Sequence, residues 1–229
     1  EKNMSNGTKV VKRDGSMQPL DLEKMHVMVE QACNGLAGVS ASQVEIQSGI
    51  QFYDGISTAE IQEILVRSAS DLIDLDHPNY QFVAARLLLF ALRKNLYGRV
   101  HELPKLKDHV AKCVWKGIYD SEIMDSYTDE EFDKLESFID HDRDYLFTYA
   151  GLRQVVDKYL VQDRSTGDLY ETPQFMYLLI SATIFSKYPK DVRLDYVKRY
   201  YDAISKHKIN IPTPIMAGVR TPLRQFASC

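Results

Sequence analysis

The sequence KVVKRDGSMQPL, residues 9–20, has the pattern of a β-hairpin at the start of a folded unit. A β-branched pair precedes Asp14-Gly15, and Asp-Gly between two extended segments is a strong signal for a two-residue turn. We therefore predict a first strand over residues 9–13 and a return strand over residues 17–20. Asp21 follows directly and is well suited to cap the start of a helix.

Helical periodicity continues outward from this hairpin to about residue 97. The pattern Ser57-Thr58-Ala59-Glu60 is a capping box, in which the first and last side chains satisfy each other's backbone amides. Apolar residues recur three and four positions apart after each helix start. Four helices are predicted, beginning after Asp21, at Ser40, after Ser57 and near Tyr80.

A second, mostly helical region is predicted after Leu103-Pro104. Residues 163–168 have a turn composition, and we expect short strands on either side of them, over 159–162 and 168–171. Residues 211–216, with two prolines, predict an extended run rather than a helix. The helix candidates are residues 108–116, 129–139, 147–161, 173–187 and 190–207.

Composition excludes several classes of protein. The net charge of −4 and the pI near 5.9 argue against general binding of nucleic acid. The three cysteines contain no CxxC pair, so neither a disulfide framework nor a zinc ribbon is expected, and no metal site is predicted among the six histidines. Residues 82–92 are interrupted by Arg86 and too short to span a bilayer. Without an apolar leader pattern in residues 1–8, we expect a cytoplasmic protein.

Basic and hydroxyl side chains cluster in the predicted first unit. A triphosphate is held by cations and by free amides at a helix N-terminus, where the helix dipole is positive. The same residues also fit solvated hairpin ends and ordinary helix caps, and neither GxxxxGK[ST] nor GxGxxG is present. The candidates on spacing alone are Lys12, Arg13, Lys24, Thr58, Arg93 and Lys94.

Motifs along the chain resemble one family. VKRDG at 11–15, GIST at 55–58, YQFVAAR at 80–86 and LRK at 92–94 resemble an ATP-cone, a nucleotide-sensing domain. FIDHDRD at 138–144 and KYLV at 158–161 resemble the helical region that follows it in ribonucleotide reductases. PTPIM at 212–216, RTP at 220–222 and RQFASC at 224–229 resemble the entry to the catalytic barrel. The chain is thus similar to the N-terminal part of the large (alpha) subunit of class I, aerobic diiron-type ribonucleoside-diphosphate reductases.

The resemblance implies a mostly α (α+β) fold in three parts. Residues 8–99 are expected to form the ATP-cone, a four-helix bundle with a small β-sheet cap. Residues 100–210 are expected to form the helical N-terminal domain of the large subunit. Residues 211–229 are expected to begin the ten-stranded α/β barrel.

The resemblance also implies functional residues. Cys229 matches a redox-active cysteine, and Thr213 and Ser228 match substrate contacts. Gln18, Asp21 and Gln62 depart from the residues common in relatives, so we expect weakened discrimination between ATP and dATP. The implied contacts of the ATP/dATP effector are Lys12, Arg13, Gln18, Pro19, Leu20, Asp21, Leu22, Glu23, Lys24, Thr58, Ile61, Gln62 and Lys94.

The implied partners follow from the same family. The effector is expected with Mg, and the diiron-tyrosyl radical is expected on a partner small (beta) subunit. Thioredoxin or glutaredoxin would restore the dithiol, and the substrate would be a ribonucleoside diphosphate. We expect a dimer or higher oligomer of the assembled large subunit, a complementary C-terminal fragment that completes the barrel, and no membrane.

Two kinds of alternative are open at this point. The chain fits a stand-alone ATP-cone module that senses nucleotides, or an interaction module, without catalysis; known cone repressors carry zinc-ribbon cysteines, which differ from the pattern here. A fragment of a cobalamin-dependent or anaerobic reductase is the other alternative. The RQFASC motif favours the diiron class over it.

Overall fold

A computed structural model describes residues 7–222 and divides them into two compact units. The first contains residues 7–92 and 147–152, and the second contains residues 93–146 and 153–222. Within these described residues, no helix combines the length and the apolar character that crossing a membrane requires.

The first unit is built on a three-stranded sheet in the order β2-β1-β3. β1 (Lys9–Val11) pairs antiparallel with β2 (Met17–Pro19) and parallel with β3 (Ile56–Ser57). Gly15 has a φ of +80°, which glycine adopts without strain, so it closes the predicted Asp-Gly turn. The predicted hairpin is confirmed.

The helices of this unit agree with the predicted order. Asp21 caps α1 by accepting the backbone N–H of Lys24 at 2.9 Å, and the Ser57–Glu60 capping box forms at the start of α3. α1 packs against α2, and α2 packs against α3. Their bounds are α1 (Leu22–Cys33), α2 (Ala41–Gly49), α3 (Thr58–Asp71) and α4 (Tyr80–Tyr97), and the division between the two units falls inside α4.

The second unit is helical and centres on a buried helix, α9 (Pro173–Ile184). Residues 173–182 are all buried, and α9 packs against α10. A 3-10 helix covers His141–Leu146, and a π-helix covers Val155–Tyr159. The remaining helices of the chain are α5 (Leu106–Trp115), α6 (Glu122–Ser126), α7 (Asp129–Phe138), α8 (Tyr149–Gln154), α9 (Pro173–Ile184), α10 (Arg193–Ser205) and α11 (Thr213–Gly218).

Two local predictions are wrong. Residues 213–218 form α11 rather than an extended run, because Pro214 lies in the first turn, where the amide that proline lacks is unpaired anyway. The strands expected around residues 163–168 reduce to one bridge between Gln162 and Leu169. The helix preceding them continues as a π-helix to Tyr159 and occupies the start of the predicted strand.

Candidate functional site

The register of the sheet brings two predicted effector residues together. Val11 of β1 pairs with Ser57 of β3, so Lys12 and Thr58 follow directly after paired positions. The Thr58 hydroxyl donates to the carbonyl of Val11 at 3.5 Å. Thr58 is the first residue of α3, and Ser57 rather than Thr58 is the N-cap. A cationic residue and a hydroxyl at a helix N-terminus therefore follow the carboxyl ends of two neighbouring parallel strands.

The hairpin turn fixes the backbone around Lys12. Its N–H donates to the Ser16 carbonyl at 2.8 Å, and its carbonyl accepts the Gly15 N–H at 2.9 Å. The Asp14 carboxylate accepts the Ser16 N–H at 2.9 Å, and hydrogen bonds from Ser16 hold the pKa of Asp14 below its ordinary value. Lys12 is half-buried and Arg13 is exposed.

The segment from β2 into α1 presents most of the other predicted contacts. Gln18 pairs with Val10 across the hairpin, and the Leu20 N–H donates to the carbonyl of Thr8 at 2.8 Å. Asp21, which by the resemblance departs from the family pattern, caps α1 with one oxygen of its carboxylate. Leu20 and Leu22 are half-buried, and the exposed residues are Gln18, Pro19, Asp21, Glu23 and Lys24.

The last three predicted effector residues lie on α3 and α4. Ile61 is buried and Gln62 is half-buried one turn into α3. Lys94 is half-buried in the last turn of α4 and belongs to the second unit. The roles of these thirteen residues in binding a nucleotide remain predictions.

Arg93 has a different role from the one that its spacing suggested. Its guanidinium is 3% exposed and donates to Asp144 Oδ2 at 2.9 Å and to the carbonyl of His141 at 2.9 Å. Gln174 donates to the other Asp144 oxygen at 2.9 Å. Burial raises the pKa of Asp144, while the Arg93 charge opposes that rise. Arg93 therefore forms a buried ion pair with Asp144, and the prediction that it is a phosphate ligand is wrong.

The acidic residues in the segment 140–144 have structural contacts. Asp144 is the buried partner of Arg93, and the Asp140 carboxylate accepts the N–H of Asp142 at 3.1 Å at the start of the 3-10 helix. In residues 7–222, histidine, cysteine and carboxylate side chains form no group of three that could hold a metal ion.

A buried carboxylate, Glu171, organises the end of the second unit. Arg220 Nε donates to it at 3.1 and 3.0 Å, and the Tyr119 hydroxyl donates at 2.5 Å. Burial alone would raise the pKa of Glu171, but the Arg220 charge and these hydrogen bonds hold it below its ordinary value. Sequence reasoning missed this cluster, because no spacing pattern relates positions so far apart along the chain.

Cys113 is buried and Cys33 is half-buried. Burial raises the pKa of the Cys33 thiol to about 11 and that of Cys113 to about 12, so neither is a thiolate at neutral pH. Thr213 is exposed in the first turn of α11. Ser228 and Cys229 lie outside the described residues.

Comparison with known proteins assigns both units. Residues 8–95 match the model of the ATP cone domain, and residues 145–224 match that of the ribonucleotide reductase all-alpha domain. The chain is 54% identical over 226 residues to the ribonucleoside-diphosphate reductase 1 subunit alpha of Escherichia coli, covering 99% of this chain and 30% of that protein. It is also 54% identical to the ribonucleoside-diphosphate reductase subunit alpha of Haemophilus influenzae and 53% identical to the ribonucleoside-diphosphate reductase 1 subunit alpha of Salmonella typhimurium, with the same coverage of each.

The first unit is thus an ATP cone domain, and the second is a reductase-type helical domain. The chain belongs to the family of ribonucleotide reductase large (alpha) subunits. It spans about 30% of the length of the curated relatives it matches, corresponding to their N-terminal region.

Proposed function

We propose that this chain supplies the effector-binding and substrate-entry part of a ribonucleoside-diphosphate reductase. ATP or dATP, with Mg, binds at the carboxyl ends of β1 and β3, where Lys12, Thr58 and the segment 18–24 form the site. The observation that carries this proposal is the parallel register of Val11 with Ser57, which sets a cation beside the N-terminus of α3. Phosphate oxygens are stabilised there by the amides of the first helical turn and by lysine ammonium groups.

The catalytic part of the proposal rests on Cys229. This thiol and a second cysteine from the remainder of the large subunit reduce the ribose. As the 2′ carbon–oxygen bond breaks, the hydroxyl leaves as water, a carbon–hydrogen bond forms, and the two thiols become a disulfide. Thioredoxin or glutaredoxin then returns two electrons to that disulfide. The initiating radical comes from a diiron-tyrosyl small subunit, and Thr213 and Ser228 contact the ribonucleoside diphosphate.

Turnover in this proposal needs the remaining part of a large subunit, on the same or a separate polypeptide. The large subunit acts as a dimer or higher oligomer with the small subunit. The proposal places the protein in the cytoplasm. The match of residues 145–224 to a reductase domain favours this function over a nucleotide sensor without catalysis.

Two measurements test the proposal. Calorimetric titration of the chain with ATP and Mg should give saturable binding that Lys12→Ala and Lys24→Ala weaken. Arg67→Ala is the matched control, because Arg67 is an exposed cation of the same unit that pairs with Glu63 at 3.9 Å. Equal losses in all three variants would contradict the assigned surface.

The second measurement is reconstitution. The chain combined with the remaining part of a large subunit and a radical-bearing small subunit should form deoxynucleoside diphosphates. Cys229→Ser should abolish steady-state turnover while ATP binding persists. Undiminished turnover by the serine variant would rule out the dithiol role.

A further inference from the structure

Arg220 is the buried end of a hydrogen-bonded cluster in the second unit. Its side chain is 2% exposed and that of Glu171 is fully buried, and their contact is a multidentate ion pair. Glu171 also accepts the N–H of Val161 at 2.9 Å and the hydroxyl of Tyr119 at 2.5 Å. Its two oxygens therefore have partners from three separate segments.

The cluster continues beyond Tyr119 to the end of α4. Since the Tyr119 hydroxyl donates to Glu171, its oxygen accepts from Nε2 of His109, which lies 2.8 Å away. His109 stacks on Phe175 with ring centroids 4.3 Å apart, and burial lowers the pKa of His109 to about 4, so its ring is neutral. The Tyr97 hydroxyl lies 3.5 Å from Nδ1 of the same ring. Tyr97, His109 and Tyr119 thus form a chain of polar contacts between buried side chains that ends at Glu171.

Arg220 in turn holds the backbone of its own segment. Its Nη1 donates to the carbonyl of Met216 in α11 at 2.5 Å, and its Nη2 donates to the carbonyl of Tyr159 at 3.1 Å. Its own carbonyl accepts the N–H of Asp120 at 3.0 Å. Side chain and main chain of this one residue therefore fix both α11 and the point where the segment 221–229 begins.

The energetics indicate that this contact defines geometry more than it adds stability. Burying two charges costs desolvation energy that their attraction only repays when the geometry is good, and apolar replacements of such pairs are often neutral. A bidentate carboxylate–guanidinium pair, in contrast, fixes distance and angle together.

We propose that Glu171 is a positioning residue for the reductase: through Arg220 it orients α11, which carries Thr213, and sets the start of the segment that ends at Cys229. This inference rests on the proposed function for its catalytic consequence, whereas the anchoring itself does not depend on it. Glu171→Gln keeps the shape of the side chain and removes its charge. Glu171→Leu combined with Arg220→Met removes both charges and keeps apolar volume.

Limited trypsin digestion of the chain tests the anchor without any activity. Trypsin must extract the Arg220 side chain to cleave after it, so this bond should be protected in the wild-type chain. In Glu171→Gln, cleavage after Arg220 should accelerate about tenfold or more, as expected when a charge-assisted hydrogen bond is lost. Glu131→Gln is the matched control, because Glu131 forms a comparable bidentate pair with Arg193 that joins α7 to α10. Unchanged protection of Arg220 in Glu171→Gln would overturn the anchor.

Single-turnover reduction by the prereduced, fully assembled enzyme tests the positioning role. The Glu171→Leu/Arg220→Met variant should keep ATP affinity and melting temperature but lose about 100-fold in single-turnover rate, the scale of a misplacement of about 1 Å. The single variant Arg220→Lys should lose less of the single-turnover rate than the double variant does. Glu131→Gln should keep the wild-type rate. Full activity in the double variant would overturn the positioning role. An inactive wild-type assembly would instead count against the proposed function, and the digestion would still decide whether the anchor exists.

Discussion

Nδ1 of His26 lies 2.6 Å from Oε1 of Glu45 and joins α1 to α2 in the ATP cone, while Nε2 of the same ring lies 3.2 Å from Glu30. Both ring nitrogens of His26 therefore contact carboxylates. The hydrogen bond and the charge of Glu45, with a smaller contribution from Glu30, raise the pKa of His26.

This contact makes the stability of the cone depend on pH. Because the folded-state pKa of His26 is raised, its contribution is complete below the unfolded value of about 6.5 and disappears as pH rises through the folded value. The free energy of unfolding should therefore fall from pH 6 to pH 8 by more in the wild-type chain than in His26→Gln. Urea denaturation at both pH values measures this difference. Parallel pH dependence in the two proteins would contradict the prediction.

Substitutions at Ser57 and Thr58 should distinguish the contribution of helix capping to stability from the contribution of a hydroxyl to ATP binding. Ser57→Ala removes the N-cap of α3 and should lower the free energy of unfolding by about 1 kcal/mol. Thr58→Ala loses only a 3.5 Å contact with Val11 and should change stability little, yet it should weaken ATP binding. Thermal melts and calorimetric titrations of both variants provide the measurement. Normal ATP affinity in Thr58→Ala would remove that residue from the effector site.

Breaking the Arg93–Asp144 pair should destabilise the second unit. Both side chains are at most 3% exposed, so removing one leaves the other charged and buried. Asp144→Ala should cost about 3–5 kcal/mol of folding free energy. Asp142→Ala, which removes an exposed carboxylate of the same 3-10 helix, is the control. Equal denaturation midpoints for the two variants would show that the pair contributes nothing.

ATP and dATP should bind the cone with similar affinity. The resemblance implies that Gln18 and Gln62 replace residues near the base and sugar, and one oxygen of the Asp21 carboxylate accepts the Lys24 N–H in capping α1. Discrimination of one hydroxyl needs polar groups that pair with it alone. Competition titrations with both nucleotides give the ratio of affinities, and Gln62→His should move that ratio away from unity. A wild-type preference for dATP of about tenfold or more would refute the prediction.

The sequence predicted what local rules determine. The Asp14-Gly15 turn, the Asp21 cap and the Ser57–Glu60 box each act within four residues, and all three form as expected. The family motifs added the order of the two domains.

What the sequence missed depends on contacts between distant positions. The partners Arg93 and Asp144, or Glu171 and Arg220, are about fifty residues apart, and no periodicity relates them. Spacing on α4 groups Arg93 with Lys94 as phosphate ligands, whereas the structure pairs Arg93 with the buried carboxylate of Asp144. The proline pair near residue 213 was interpreted through its bias towards extended backbone, although a helix accepts proline in its first turn.

The ion pair at Arg93 also bears on its neighbour in α4. Because the Arg93 guanidinium donates to Asp144 and to the carbonyl of His141, the part of α4 that precedes Lys94 is tied to the 3-10 helix His141–Leu146. Loss of the Asp144 carboxylate should therefore let the amide hydrogens in the last turns of α4 exchange faster with solvent, although Asp144 lies about fifty residues further along the chain.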